Sequence, residues 1–400
     1  MKILQVCLKP PYPKVDGGCM AIAAITESLL LAKHEVKCLT IATHKHPFKE
    51  DKIPKSVLDS TKMEAIKLDT RIKAFDAFVN LFQSSSYNID RFYDEDFETR
   101  LTEIVRETKF DTIILESVFC TPYIDALRKA TEAKIAVRTH NVEYHIWRNL
   151  AEGQSNIVKG WYMNLLAKRL KRYELSALNK ADGILAITET DKSAMISDGI
   201  TTPISVIPIG MDIKRFPVPK KTSSLSLYHV GSMDWEPNIE GIDWFLEDVW
   251  PLINSTFPNL ECHLAGRNMP DDFLEQNGDK LHVSAEIDSV LDFVKDKPIS
   301  IVPLLSGSGM RVKIVEALAL GKVIISTSLG ATGIPYTDGE NILIADSPEE
   351  FVEKLNILVQ DSSQITRIGR NARKLAEAEF DLQSLSSKLT YFCRELSKTN

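Results

Sequence analysis

The stretch PISIVPLLSGSGMRVKIVEALALG, from Pro298 to Gly321, decides the fold class of this chain. Its first part, Ile299 to Leu305, is apolar and partly β-branched, which is typical of a strand covered on both faces of a parallel sheet. A loop of small residues follows, and then an apolar helix. This order predicts an anion site, because the free N–H groups and the dipole at the start of a helix both favour a phosphate.

The loop between strand and helix would supply the backbone contacts to that anion. Glycine at two of its positions lets the backbone approach a ligand closely. We predict that Ser308 is the N-cap of the helix. The loop residues in this interpretation are Ser306, Gly307, Ser308, Gly309 and Met310.

Three charged residues, Arg311, Lys313 and Glu316, follow in the predicted helix. Cations near a helix start oppose the dipole and are mildly unfavourable unless an anion compensates them, so the two basic residues strengthen the phosphate prediction. Glu316 would accept hydrogen bonds from ribose hydroxyls. The alternative is a solvated i,i+3 salt bridge between Lys313 and Glu316.

Composition limits the possible classes of protein. A length of 400 residues predicts two domains, and 44% hydrophobic with 26% charged residues is ordinary for a soluble globular chain. The net charge of -7 argues against nucleic acid as the main partner. The six cysteines show neither disulfide nor zinc spacing, and no apolar run is long enough to span a membrane. We therefore expect a cytoplasmic protein.

Strand-like and helix-like patterns alternate along the chain and break around 208–221, which we interpret as a linker. Such alternation predicts two doubly wound, Rossmann-like α/β domains with ligands at the carboxyl ends of the strands, in a cleft between the domains. The predicted domains are residues 1–208 and 209–380, with a helix in 381–400 that packs back toward the first domain. The predicted strands are 2–8, 36–42, 112–115, 135–139, 183–187, 204–207, 225–230, 260–264, 281–284, 299–305 and 322–326.

Several motifs occur in a characteristic order: RTHNVEYHIW, ADGILAITETD, VIPIGMD, HVGSMDWEPN, HLAGR and GSGMRVKIVEALALGK. In this order they resemble the GT-B glycosyltransferases of family 4, also called group 1, in the branch associated with bacterial surface polysaccharides. The resemblance implies a metal-independent, retaining hexosyltransferase. Its donor would be a UDP- or GDP-sugar with no separate cofactor, and its acceptor a hydroxyl of a saccharide or a lipid-linked saccharide.

The resemblance also assigns roles to residues. His140 and Glu316 would be catalytic, with His140 near the donor sugar and Glu316 on the ribose. The donor would be bound by Gly231, by Arg267, by the loop residues Ser306 to Met310, and by Arg311, Lys313 and Glu316 of the helix. Many family members carry a second glutamate where this chain has Ser308, so the contact to the donor sugar departs from the family pattern. Arg267 has the alternative of pairing only locally.

The first domain would bind the acceptor. The predicted contacts are Asp16, Gly17, Gly18, Asn141 and Glu143. Some of these residues, and His140, have structural alternatives: the two glycines would form a turn with positive φ, His140 would cap the next turn through Asn141, and Glu143 would form a capping interaction.

Two charged segments have weaker functional interpretations. Asp94 to Asp96 has a DxD-like spacing, but we favour a solvated helix start over a metal site. The segment from Lys159 to Tyr173 is basic and amphipathic. It would either contact the inner surface of an anionic membrane or be an ordinary helix with its apolar side in the core.

Two other functions compete with transfer. Sugar-nucleotide 2-epimerases share the GT-B architecture, although they would require paired acid and base residues. A non-catalytic subunit that binds sugar nucleotides is the other alternative, and Ser308 would be its sign.

Overall fold

The computed structural model describes residues 1–73, 79–81, 83–217, 225–307 and 309–398. The chain forms two compact units. The first comprises Met1–Gly210 together with the segment that starts at Leu382, and the second comprises Met211–Asp381. The boundary therefore lies two residues beyond the 208/209 boundary that the sequence predicts.

The first unit is built on a seven-stranded, fully parallel sheet in the order β3-β2-β1-β4-β5-β6-β7. The central strands are almost entirely buried, which explains their continuous apolar sequences. The strands are β1 Lys2–Cys7, β2 Glu35–Ala42, β3 Glu64–Lys67, β4 Thr112–Glu116, β5 Lys134–Thr139, β6 Gly183–Ala186 and β7 Ile204–Val206.

Helices connect these strands, as parallel pairing requires. Apolar side chains from both sheet faces and from the helices make two large clusters in this unit. The helices are α1 Gly17–Leu31, α2 Lys55–Thr61, α3 Tyr87–Asp90, α4 Glu95–Glu107, α5 Ile124–Ala130, α6 Glu143–Glu152, α7 Ile157–Asn179 and α8 Glu189–Ser197, with 3-10 turns at Glu50–Lys52 and Val118–Tyr123.

The second unit repeats the design with six parallel strands in the order β10-β9-β8-β11-β12-β13. Its strands are β8 Ser226–Val230, β9 Glu261–Ala265, β10 Leu281–Ser284, β11 Ile299–Val302, β12 Val323–Ser326 and β13 Leu343–Ile344. Its helices are α9 Glu236–Trp244, α10 Trp250–Thr256, α11 Asp271–Leu274, α12 Val290–Val294, α13 Val312–Ala319, α14 Pro348–Gln360 and α15 Ser363–Glu379, with a π-helical turn at Phe245–Val249 and a 3-10 turn at Ile213–Arg215.

The last helix, α16 Leu382–Lys398, belongs to the first unit. Its apolar stripe includes the buried residues Leu385, Leu389 and Phe392, which join the cluster formed around α1. The Ser386 hydroxyl also donates to a backbone carbonyl of α1 at 2.9 Å. The i, i+4, i+7 spacing of the stripe is what makes one face of this helix apolar.

The predicted fold class is confirmed, since each unit is a doubly wound parallel sheet. All eleven predicted strands are present, with ends that differ by at most one residue except at one strand. β11 ends at Val302 and not at Leu305, because Pro303 has no N–H to donate to a neighbouring strand. The sequence missed the short edge strands β3 and β13.

One prediction about the phosphate loop is wrong. Helix α13 begins at Val312 with Arg311 as its N-cap residue, so Ser308 does not cap it. Ser308 itself lies outside the described residues. The backbone leaves the loop through two glycines with positive φ, Gly307 at 101° and Gly309 at 78°, and these turns delay the start of the helix.

Two other segments are settled by the structure. Asp94 is the N-cap of α4, where its carboxylate accepts from the Phe97 N–H at 3.0 Å, so the favoured interpretation of Asp94 to Asp96 as a helix start is confirmed. Among the helices of the described residues, none combines the length and the apolar character that a membrane span needs.

Candidate functional site

In both sheets the strand order reverses beside the first strand of the unit. β1 lies between β2 and β4 in the first unit, and β8 lies between β9 and β11 in the second. Loops that leave the carboxyl ends of such neighbouring strands open a crevice, which is where doubly wound sheets bind ligands. The predicted site residues follow these strand ends, and we describe the two units separately.

In the second unit, the turn after β8 packs against the turn after β9. A Cβ on Gly266 would lie 1.8 Å from the Gly231 carbonyl oxygen. A Cβ on Gly231 would lie 2.8 Å from Lys313 Nζ and 2.9 Å from both Asn238 Nδ2 and His229 Nε2. Glycine at position 231 therefore leaves room for a basic side chain from α13 to reach the end of β8.

Lys313 occupies that room. Its Nζ donates to Asn238 Oδ1 at 2.7 Å and to His229 Nε2 at 3.2 Å. His229 is fixed in turn, because its Nδ1 donates to the Ile301 carbonyl at 2.9 Å, which makes Nε2 the acceptor. Asn238 Nδ2 donates to the Ser232 carbonyl at 2.7 Å. A cation is thus held at the strand ends by neutral partners.

The electrostatics of this cluster are unfavourable without a ligand. Burial and the nearby charge of Arg311 lower the pKa of Lys313 to about 7. Burial raises the pKa of Glu316, one turn further along α13, to about 7 despite the charge of Lys313. No ion pair joins Lys313 to Glu316, although the structure describes both, so the salt-bridge alternative is wrong. A lysine and a glutamate on one helix whose pKa values are both shifted by burial are typical of a ligand site.

Arg311 is packed against its own loop. Its Nη1 donates to the Gly309 carbonyl at 2.9 Å, and its guanidinium lies 5.0 Å from the centroid of the Trp235 ring. The side chain is only 5% exposed, and burial lowers its pKa to about 10. A Cβ on Gly307 would lie 2.9 Å from the same indole. Arg311 and Trp235 therefore shape the loop, and the contact of Arg311 with a diphosphate stays a prediction.

The remaining predicted donor residues surround this cluster. The Ser306 hydroxyl donates to the Glu240 carboxylate, and Met310 is partly exposed in the loop. Arg267 follows β9 with an exposed side chain, while its carbonyl accepts from the Met233 N–H at 2.9 Å. The predicted sugar contact of Ser308 falls outside the described residues.

In the first unit, His140 follows β5 and is fixed from β4. Its Nε2 lies 3.2 Å from Glu116 Oε2, and a carboxylate can only accept, so this bond places the proton on Nε2 and leaves Nδ1 as an acceptor. Burial, together with the charges of Arg138 and Lys9, lowers the pKa of His140 although Glu116 acts in the opposite direction. The imidazole is therefore neutral near pH 7 and 17% exposed.

Glu116 is the centre of a buried network. The carboxylate is fully buried, and it accepts from Gln5 Nε2 at 2.8 Å and from Arg138 Nη1 at 3.2 Å. Burial alone would raise the pKa of Glu116, but the charge of Arg138 and the bond from His140 hold it below its ordinary value. A charged, buried carboxylate thus fixes the orientation of the His140 ring through its Nε2 atom.

The turn after His140 does not use the predicted caps. The residue at the N-cap of α6 is Val142, with no side-chain cap, and the Glu174 carboxylate accepts instead from the N–H groups of Glu143 at 3.3 Å and Tyr144 at 3.2 Å. The capping alternatives for His140 and Glu143 are therefore wrong. Asn141 Nδ2 donates to Glu143 Oε1 at 3.4 Å, and burial raises the pKa of Glu143 to about 7.

The acceptor residues predicted after β1 form the start of α1. Gly17 and Gly18 are its first two residues, and neither has a positive φ, so that structural alternative is wrong. Asp16 is the N-cap, where Oδ1 accepts from the Cys19 N–H at 2.8 Å. Both Asp16 oxygens accept from Lys9 Nζ at 2.8 Å, and Oδ2 lies 2.8 Å from His46 Nε2. The acceptor role of these residues stays a prediction.

Sequence reasoning missed several residues of these clusters. His229 interrupts the apolar strand SLYHV, and Asn238 lies in the quoted EPN motif, so both left a weak signal. Glu116 ends the apolar strand TIILE in the same way. His46 left no signal, because only the fold brings it to Asp16.

Two family models match the chain in tandem. The model described as "Glycosyltransferase Family 4" matches residues 22–215, and the model described as "Glycosyl transferases group 1" matches residues 224–361. A curated relative from Klebsiella pneumoniae, described as "Uncharacterized 44.6 kDa protein in cps region", is 23% identical over 97% of this chain and 98% of its own length.

Solved structures with the same architecture superimpose on nearly the whole chain. Sucrose-phosphate synthase from Thermosynechococcus elongatus superimposes with a TM-score of 0.72 at 16% identity, covering 100% of both chains. HepE of Anabaena, solved in complex with UDP, superimposes with a TM-score of 0.68 at 13% identity, covering 99% of this chain and 100% of its own. The same Anabaena protein has also been solved with UDP-glucose.

Proposed function

Because the chain belongs to glycosyltransferase family 4, with the GT-B fold, we propose that it transfers a hexose from a nucleoside diphosphate sugar to a hydroxyl, with retention of configuration. The acceptor in this proposal is a saccharide or a lipid-linked saccharide used for cell-surface polysaccharide. The second unit takes the donor and the first unit takes the acceptor. The transfer step uses no metal ion.

The proposal rests on two ionisable side chains of α13 that have no oppositely charged partner among the described residues. Lys313 is a partly buried cation whose partners Asn238 and His229 are neutral, and Glu316 is a partly buried carboxylate without an ion pair among the described residues. A diphosphate would compensate the cation, and two ribose hydroxyls would donate to the carboxylate. One nucleoside diphosphate satisfies both groups at once.

The same groups fit the chemistry of transfer. As the bond from sugar C1 to the β-phosphate oxygen breaks, negative charge grows on the diphosphate, and fixed cations and N–H donors stabilise it. Lys313 supplies the charge, and the loop that Arg311 braces supplies the backbone donors. The acceptor oxygen then bonds to C1 on the face that the phosphate leaves, and its proton passes to the released phosphate oxygen.

The first unit would hold the reacting hydroxyls. His140 offers Nδ1 as an acceptor, and the bond to Glu116 keeps it in that tautomer. A sugar hydroxyl can donate to this nitrogen. The pKa of Glu143, which burial raises to about 7, also fits a carboxyl group that exchanges protons with an acceptor near neutrality.

Two similar proteins support the proposed donor and the proposed role in surface polysaccharide. HepE of Anabaena has been solved with UDP and with UDP-glucose, which favours a uridine donor. The Klebsiella pneumoniae relative lies in a cps region, which favours a role in surface polysaccharide. We therefore place UDP-sugars ahead of GDP-sugars as donors for this chain.

The start of α7 supports a peripheral contact with the cytoplasmic membrane surface. Ile157, Val158 and Trp161 are exposed by 87%, 76% and 62%, and Lys159 lies among them. Apolar side chains beside a cation suit the interface of an anionic leaflet. Further along the helix, Arg169 instead donates to the Asn80 carbonyl at 2.7 Å, so this basic residue is used inside the protein.

Mass-detected transfer tests the proposed function. The full chain is incubated with a panel of UDP-, GDP- and ADP-sugars and with saccharide and lipid-linked acceptors, and released nucleotide and new glycoside are both measured. We expect turnover with one UDP-sugar and an α-configured product from an α-configured donor. Tight nucleotide binding without turnover would identify a non-catalytic subunit, and release of a 2-epimer would identify an epimerase.

Vesicle sedimentation tests the membrane contact. The wild type is expected to sediment with vesicles that contain anionic phospholipid, and Trp161→Ser is expected to remain in the supernatant. Tyr391→Ser is the matched control, because Tyr391 is 68% exposed on α16. Equal sedimentation of both variants would remove the contact from the proposal.

A further inference from the structure

We propose that Glu261, His263 and His282 form a binding site for one divalent transition-metal ion, best suited to Zn²⁺, in the second unit. Glu261 and His263 point to the same face of β9, two residues apart. His282 is paired in register with His263 on the neighbouring strand β10. Two rigid strands thus bring three ligand side chains together, which the distance of 19 positions between the histidines hides in the sequence.

The distances between the ligand atoms are close to those around a single metal ion. His263 Nε2 lies 3.5 Å from Glu261 Oε2, and His282 Nε2 lies 3.7 Å from the same oxygen. With bonds of about 2.0–2.1 Å, ligand atoms on a tetrahedral zinc ion are separated by roughly 3.3 Å. The three ligand atoms all lie within 4.8 Å of one another, so rotation of the side chains would bring them within reach of one ion.

The imidazole rings are close to each other but stacked. Their centroids are 4.6 Å apart with an angle of 26° between the planes, so the rings have to turn before both nitrogens point at one ion, and the Phe293 ring lies edge-on to His263 with its centroid 6.4 Å away. Glu261 and His263 also line an open cavity of about 640 Å³. A fourth position on the metal would therefore be accessible to water or to a small ligand, as three protein ligands require.

A metal ion can bind here only if nearby positive charges are offset by negative ones. Lys297 is the nearest opposing charge, but its Nζ donates to the Phe293 carbonyl at 2.6 Å and to Asp296 at 3.2 Å, so a carboxylate offsets it. Glu261 contributes a further negative charge. The carboxylates of Glu261 and Asp296 together thus outweigh the ammonium group of Lys297.

A second cluster of potential ligands in the first unit is less suited to a metal ion. It consists of Asp16, Cys19 and His46. Both oxygens of Asp16 accept from Lys9 at 2.8 Å, and burial raises the pKa of the Cys19 thiol to about 11. A metal would have to displace an ammonium group there. The histidine cluster requires no such displacement.

The proposed site lies away from the donor loop. Glu261 opens β9 and His282 is the second residue of β10, whereas Ser306 and Gly307 follow the carboxyl end of β11. The proposed ligands thus lie at the beginning and middle of their strands, whereas the donor loop follows a strand's carboxyl end. The ion would therefore tie β9 to β10 and stabilise the second unit without taking part in transfer.

Metal titration of the full chain tests the proposal. The protein is freed of any polyhistidine tag and dialysed against a chelator, and then ZnCl₂ is titrated calorimetrically while CoCl₂ binding is followed by visible absorption. We expect one equivalent per chain and a higher thermal midpoint with Zn²⁺. Each of His282→Ala and Glu261→Gln should weaken binding at least ~10-fold.

His44→Ala is the matched control, because His44 is an exposed histidine of the first unit. It should bind Zn²⁺ as the wild type does, and circular dichroism should show that all variants are folded. Absence of stoichiometric binding in the wild type, or unchanged binding in both ligand variants, would overturn the proposal. The outcome is independent of whether the chain transfers sugar.

Discussion

Lys313 Nζ lies 2.7 Å from Asn238 Oδ1, so a cation from helix α13 is fixed at the turn after β8 by a neutral side chain from α9. The segment HVGSMDWEPN, which contains that turn, has only acidic charges of its own. The positive charge beside the turn comes from α13. Asn238 and His229 position it, and Gly231 leaves room for it.

Removing the positioning amide should weaken donor binding. Asn238→Ala leaves Lys313 with one partner and more rotamer freedom, so we expect nucleotide affinity to fall about three- to tenfold, or roughly 1 kcal/mol. The measurement is calorimetric titration with the nucleotide that the wild type binds. Asn254→Ala, at an exposed position of α10, is the matched control. Equal losses in both variants would contradict a specific role for Asn238.

Nucleotide affinity should fall as the pH rises above 7. The pKa of Lys313 is lowered to about 7 in the free protein, and a bound diphosphate raises it again, so protonation and binding are linked. Between pH 7 and 9 we expect a loss of up to ~10-fold per pH unit. Lys313→Arg keeps its charge throughout this range and should show a flatter profile. The same pH dependence of affinity in the wild type and in Lys313→Arg would mean that the positive charge on Lys313 does not bind the nucleotide.

Glu316→Gln should stabilise the protein and weaken donor binding. The pKa of Glu316 is raised from 4.5 to about 7, so the folded state binds more protons than the unfolded state between these values, and stability falls as the pH rises through them. At pH 8 we expect the variant to be more stable by roughly 1–3 kcal/mol, with little gain at pH 4.5. Urea unfolding at both values measures this. Glu353→Gln, exposed on α14, should change neither stability nor binding.

Glu116→Gln should destabilise the first unit. It leaves Arg138, which is fully buried, without a counter-charge, and breaking such a pair costs about 3–5 kcal/mol. The double variant Glu116→Gln, Arg138→Met removes the orphaned charge as well and should recover most of the loss. Urea unfolding compares the two. A single variant as stable as the wild type would show that the network does not hold this charge pair.

His140→Ala should affect transfer and not donor binding. The imidazole is in the first unit, while Lys313 and Glu316 are in the second. We expect the transfer rate to fall about 10²-fold with nucleotide affinity unchanged, because the proposed role of His140 is toward the reacting hydroxyls. His44→Ala serves as the matched control. A comparable loss of nucleotide affinity would place His140 on the donor instead.

The fold could be predicted because its main strands are buried on both faces and therefore read as continuous apolar runs. Ile299–Val302 and Thr112–Glu116 show this clearly. The edge strands β3 and β13 could not be predicted, because they are short and, in the case of Glu64–Lys67, only partly buried. Partial burial removes the hydrophobic signal on which the prediction depends.

The site could be predicted in part. The positions of His140 and Gly231 directly after β5 and β8 could be predicted because both strands are apolar runs, while their roles come from the family resemblance and stay predictions. Their partners were missed because the contacts cross long stretches of sequence, as with Glu116 and His140. The N-cap at Ser308 was wrong because two glycines with positive φ extend the loop, and a preference for serine at N-caps carries no information about them.

The central claim is that a nucleoside diphosphate binds at Lys313 in the second unit. Calorimetric titration of UDP and GDP into the wild type and into Lys313→Met, at pH 7 and in the same buffer, tests it most directly. We predict that the wild type binds UDP and that the substitution lowers the affinity at least ~10-fold while the protein stays folded. Equal affinity of the wild type and Lys313→Met for UDP would contradict the account.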